Sequence, residues 1–153
     1  MTFRGVGKLR CRSFRSSWRV QMTIQCEYDS KRKLLIAWAE GVVSYSEIQR
    51  HLDAEEAKGY LGLPEVFDCQ NASTNLARSE IVSLVRRLVN YAKSKRLGPT
   101  AIVAKQPVTF GMARMFEIVC ELEGGPPVGV FNNMEEGERW LERFSGTENV
   151  GPS

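Results

Sequence analysis

Along this chain the apolar positions move between strict alternation, short unbroken runs and a helical period, and those changes lay out the elements. Thr23–Tyr28 alternates, with Ile24, Cys26 and Tyr28 on one side and Thr23, Gln25 and Glu27 on the other. That pattern predicts a half-exposed strand at a sheet edge. After the polar turn Asp29–Lys33, Leu34–Ala39 is almost wholly apolar and predicts a strand buried on both faces. So short a connection makes the two an antiparallel hairpin. Ser44-Tyr-Ser-Glu47 then has the spacing of a capping box, and Tyr45, Ile48 and Leu52 follow at helical spacing up to a stop at Gly59.

The stretch Pro64–Leu88 reads as a short buried strand (Val66, Phe67), a polar loop from Asp68 to Asn75, and an amphipathic helix. The helix stripe is Ile81, Val85, Leu88 and Ala92, widened by Val82, Leu84 and Val89, with a stop at Gly98-Pro99. Such a unit sets a strand's carboxyl end beside a helix amino end, where open α/β folds keep their sites. The candidate binding residues are therefore Asp68, Asn71, Ser73 and Thr74. The cations late in the helix (Arg86, Arg87, Lys93, Lys95, Arg96) suit its negative end and read as a solvated face rather than a phosphate patch.

Thr100–Ala104 predicts a buried strand, and Thr109 a cap for the helix Phe110–Leu122. In that helix Arg114, Glu117 and Glu121 occupy one narrow line, while Met112, Met115, Phe116, Ile118, Val119, Cys120 and Leu122 cover most of the rest. The apolar face is wider than one sheet needs, so the helix is either buried beneath a neighbour or part of an interface. The candidate interface residues are Met112, Met115, Phe116 and Val119. Val128–Phe131 is a last short strand, and Asn133 with Glu136 caps a helix over Met134–Phe144 packed through Trp140, Leu141 and Phe144. Gly146–Ser153 reads as a polar, mobile tail.

The order β-β-α-β-α-β-α-β-α predicts one α/β domain over residues 22–145, built on a five-stranded mixed sheet. A hairpin starts it, and three right-handed helical crossovers make the later strands parallel.

Composition sharpens this in two places. Six of the 21 bases, and none of the 18 acids, lie in residues 1–20, so the rest carries 15 bases against 18 acids. A mildly acidic body argues against a nucleic-acid surface. Residues 1–21 have three readings: sequence ahead of a true start at Met22, a flexible basic arm, or an organellar presequence. No apolar run approaches membrane-spanning length, so the expectation is a soluble protein without a membrane partner, and its unpaired cysteines make the expected setting cytoplasmic. Cys11, Cys26, Cys69 and Cys120 lack paired or C-x-x-C spacing and predict reduced thiols, neither a disulfide frame nor a zinc site.

The candidate chemistry is sparse. His51 is the single histidine, has no nearby cysteine, and reads as a solvated surface residue with no metal role. Cys69 alternates away from Asp68 and reads as a small core residue. Asp68 could act with Glu40 or Lys105 at strand ends, but any α/β sheet offers such a set. The chain carries no G-x-S-x-G, no phosphate-cradling glycine loop and no H-E-x-x-H. The expectation is a protein without catalysis, cofactor or metal.

The element order, together with FDCQNAST, AIVAKQPVTFGMARMFEIV and VFNNMEEGERWLERF, resembles the SpoIIAA-like group of STAS-type domains over roughly residues 22–144. The resemblance implies a non-enzymatic regulatory module similar to anti-sigma factor antagonists, which bind a partner kinase. A serine after their third strand is phosphorylated to release that partner; it would fall near Ser73 or Thr74. The chain departs from their Asp-Ser-Ser-Gly-like run, having no glycine between Gly62 and Gly98. Three functions follow as expectations. The first is a module contacting a protein partner or a second copy of itself. The second is a carrier of a small apolar or anionic ligand, and the third an enzyme built on Asp68.

Overall fold

The computed structural model describes residues 23–150, with side chains through residue 145. The alternating run and the apolar run pair as the hairpin requires: β1 (Ile24–Asp29) is antiparallel to β2 (Leu34–Val43), with Ile24 opposite Ala39 and Asp29 opposite Leu34. The Asp29 carboxylate accepts the Lys31 and Arg32 amides and so closes the turn. β3 (Glu65–Thr74), β4 (Thr100–Val103) and β5 (Val128–Phe131) then add in parallel, giving the spatial order β1-β2-β3-β4-β5. The mixed five-stranded sheet, with β1 at an edge, is the one the pattern predicts.

Three helices connect the parallel strands: α1 (Tyr45–Lys58), α2 (Arg78–Ala92) and α3 (Pro107–Glu123). The alternation of β2, β3 and β4 sorts their neighbours. Leu34, Val66, Ala101 and Val103 point to α4 (Met134–Val150) and close around its Leu141. Leu35, Phe67 and Ile102 point the other way, toward the three connecting helices. Successive crossovers of one hand along a sheet built in sequence order put every connector on the same face. The last helix is free to cover the opposite one.

Caps and stops behave largely as read. Ser44 and Glu47 form the reciprocal capping box of α1, Gly59 ends that helix in the left-handed conformation, and Asn133 accepts the Glu136 amide at the start of α4. Gly98 has a different job from the predicted one. The helix ends at Ala92, and Gly98 lies where a Cβ would come 2.3 Å from the Leu63 carbonyl oxygen, so only glycine lets these two loops cross.

Three other boundaries move. Asp68–Thr74 is not a loop but the last seven of the ten residues of β3, paired with β2 through Thr74 opposite Val43. β3 takes three steps from Asp68 to Asn71 while β2 takes two from Trp38 to Glu40, so β3 carries a one-residue bulge there. Pro107, not Thr109, opens α3, and the Thr109 hydroxyl donates instead to the Ala72 carbonyl at 3.3 Å. Helix α4 continues through Val150, so the predicted tail begins inside it. The expectations for residues 1–21 fall outside the described residues. No helix among those described is long and apolar enough to cross a membrane.

Candidate functional site: a buried His-Glu-Glu cluster in an apolar cavity

Helices α1, α2 and α3 share an apolar cluster above the sheet. Leu76, Ile81 and Leu84 meet Tyr45, Ile48 and Leu52 from one side and Met112, Met115 and Phe116 from the other. A surface network ties α1 to α2: Arg87 pairs with Asp53 and donates to Tyr91, whose hydroxyl donates to Glu56 at 2.6 Å. Lys95 reaches the other Glu56 oxygen at 3.3 Å. Beneath this layer, between it and Leu35, Phe67, Cys69 and Ile102 of the sheet, lies a largely apolar cavity of about 150 Å³.

One wall of the cavity is charged. His51 and Glu55, four residues apart on α1, present side chains on the same helical face. Glu65, the first residue of β3, is held between Leu35 and Thr100 on the neighbouring strands. His51 Nε2 lies 3.0 Å from Glu65 Oε2 and 2.8 Å from Glu55 Oε2. One ring nitrogen carries at most one hydrogen. It is directed at Glu65, so Glu55 Oε2 is buried without a hydrogen bond. All three side chains are at most 10% exposed.

Burial and neighbouring charge act on each group. Burial disfavours the imidazolium, but the two carboxylates outweigh it and push His51 up to about 10. Burial, with the Glu65 charge added, pushes Glu55 up to about 8 despite the ring beside it. The Cys26 thiol on β1, buried and facing the Glu55 and Glu65 charges, is pushed up to about 11. Cys69, buried and next to Asp68, goes to about 12. Neither sulfur is a thiolate near neutral pH, so neither is an activated nucleophile.

The residues singled out from the sequence are not brought together as one site. Asp68 uses its carboxylate locally, accepting the Gln70 amide and side chain at 3.0 Å. Asn71 is exposed on β3. Ser73 and Thr74 do line the cavity, and the Thr74 hydroxyl donates to the Val43 carbonyl at 2.9 Å. Met112, Met115 and Phe116 turn inward onto α2, while Val119 is half-buried. The apolar side chains that α3 does leave outside are Val108, Ile118 and Leu122, the last 79% exposed. Cys69 lies on the helix-facing side, as alternation predicted.

His51 is the clear correction. It is buried, not solvated, and stacks near Phe67 with ring centroids 5.4 Å apart. Its partner was present in the sequence as His51-Leu-Asp-Ala-Glu55, an i, i+4 pair. Glu65 shares the alternation of Phe67 and Cys69, which places a carboxylate on the helix-facing side of a central strand.

No protein-family model matches the sequence, and no curated protein matches it. Among solved structures, the chain is similar to an uncharacterized protein of the DUF3478 family from Shewanella loihica PV-4, described as having a SpoIIAA-like fold. The two are 15% identical, with a TM-score of 0.50 over 82% of this chain and 99% of that one. At that identity the likeness concerns architecture alone, and the architecture is a SpoIIAA-like α/β fold.

Proposed function

We propose that the chain is a non-enzymatic binding module whose cargo is a small, predominantly apolar molecule held between the sheet and helices α1–α3. The observation that carries this is the largely apolar cavity of about 150 Å³ between the sheet and helices α1–α3. A cavity of that order, lined mostly by aliphatic and aromatic side chains, has room for a benzene-sized guest. Filling it recovers dispersion contacts that the lining atoms otherwise lack. Ser73 and Thr74 enter this reading as polar points on the wall.

The test uses toluene and indole as probes, followed by amide chemical shifts. Saturable shifts are expected at cavity residues such as Ile102 and Leu84, and they are expected to disappear in Ala113→Leu, which fills the space from α3. The absence of saturable shifts at those residues in the wild type would remove the reading.

A second reading, contact with a protein partner or a second copy, is favoured by Ile118 and Leu122, which are exposed one turn apart on α3 (48% and 79%). It predicts concentration-dependent association by sedimentation that Leu122→Lys abolishes. A strictly monomeric wild type that captures no partner counts against it.

A further inference from the structure

We propose that His51, Glu55 and Glu65 form a binding site for a divalent transition-metal cation of the zinc class, with an open coordination position facing the cavity. The donors are His51 Nε2 and one oxygen from each carboxylate, all within 4.8 Å of one another. Zinc bonds to nitrogen and carboxylate oxygen are about 2.0–2.2 Å long, so tetrahedral donors stand roughly 3.4 Å apart. The observed separations of 2.8 and 3.0 Å therefore need to open by only about half an ångström to admit an ion.

Three independent features point to a cation rather than to a self-sufficient hydrogen-bonded trio. The first is Glu55 Oε2, buried without a hydrogen bond and turned toward the ring nitrogen that cannot serve it. A buried carboxylate oxygen without a hydrogen bond is costly, and an ion at the centre would satisfy it while converting the Nε2–H contact into a ligand bond. The second is charge. Once an entering ion displaces the protons held there, two carboxylates and a neutral imidazole present −2, which a single divalent ion balances. The third is rigidity, since two donors come from one helical face at i, i+4 and the third from a strand paired on both sides.

The donor set also selects the metal. Magnesium and calcium require six or more oxygen ligands, which an apolar cavity does not supply; one imidazole with two carboxylates suits zinc, cobalt or manganese. Three protein ligands leave a tetrahedral ion one position free, and because all three residues line the cavity, that position opens into it. The inference does not depend on the cavity holding an apolar guest.

The experiment uses the full chain, stripped with EDTA and dialysed. Zn²⁺ is titrated by calorimetry and Co²⁺ by visible absorption, in wild type, Glu55→Gln, Glu65→Gln and, as a surface control, Glu138→Gln. The expected result is one ion per chain with Kd on the order of 1 µM or tighter, and cobalt bands of a low-coordinate site. Each cluster variant should weaken binding by about 100-fold or more, and the control should not change it. Glu55→Gln keeps the shape of the side chain, so circular dichroism should show it folded. If wild type binds no ion more tightly than about 1 mM, or if both cluster variants keep wild-type affinity, the proposal is wrong. In either case the cluster would be a hydrogen-bonded trio alone. The toluene titration reads out separately and is unaffected by that result.

Discussion

The two faces of this sheet solve the same problem differently. On the α4 face, Leu34, Val66, Ala101, Val103 and Leu141 close on each other, and Trp140 fits between Phe131 and Phe144 at centroid distances of 5.6 and 4.8 Å. Gly137 makes this possible, because a Cβ there would meet Val103 at 3.2 Å and hold the helix off. On the other face, long side chains of the helices (Met112, Met115, Phe116, Leu52) pack around Leu76, Ile81 and Leu84 and leave a cavity between them and the sheet. The result is a hollow with ionisable groups on its wall. One face is close-packed for stability; the other leaves apolar surface and buried charge partly unsatisfied, which is the usual cost of a binding site.

The comparison breaks most visibly at Leu141. Leu141→Ala should lower unfolding stability in urea by about 2–5 kcal/mol, since nothing on the close-packed face can move in to fill the gap. A loss below about 1 kcal/mol would mean that this face is loosely packed too.

The next largest effect is the response of the hollow face to pH, in metal-free protein. Glu55 rises from 4.5 in the unfolded chain to about 8, and His51 from 6.5 to about 10. The folded state therefore binds more protons than the unfolded state across this range. The stabilising contribution is complete below the unfolded values. It is lost for Glu55 as pH rises from 4.5 toward 8, and for His51 from 6.5 toward 10. Between about pH 6 and pH 9 the folded state should lose about 1–3 kcal/mol, with the lower part of that slope missing in Glu55→Gln. Denaturant midpoints across the range check it, and a flat or rising profile would contradict a buried cluster.

The smallest effect is the most diagnostic. Ala113→Leu adds three carbons at a buried position, where overpacking ordinarily costs about 1–3 kcal/mol. Because Ala113 borders the cavity, the change should stay within about 1 kcal/mol. The corresponding enlargement Ala101→Leu, beneath α4, should show the ordinary penalty or more.

The sheet was legible because its signals are local. β1 alternates, β2 and β4 are apolar runs, and Ser44, Gly59 and Asn133 announce their helix ends with side chains or backbone that act within four residues. Where the reading failed, the cause lay elsewhere in the chain. Asp68–Thr74 is polar and looks like loop, yet it extends β3 because β2 continues to Val43 and offers a partner. Met112, Met115 and Phe116 left burial and interface both open, because the apolar face of α2 that receives them is distant in sequence. The cluster was half visible. His51 and Glu55 announce a shared face, whereas Glu65 joins them only once β3 lies under α1.

Beyond Asp68, β3 has outrun its neighbour β4, which pairs only as far as Val103. A strand in that position turns bare carbonyls and amides toward solvent, and such edges recruit other chains. Thr109 occupies the gap at Ala72 with its hydroxyl, from the first turn of α3. A residue first read as a helix cap thus serves the sheet's border, giving an overhanging strand a partner where the next strand has stopped.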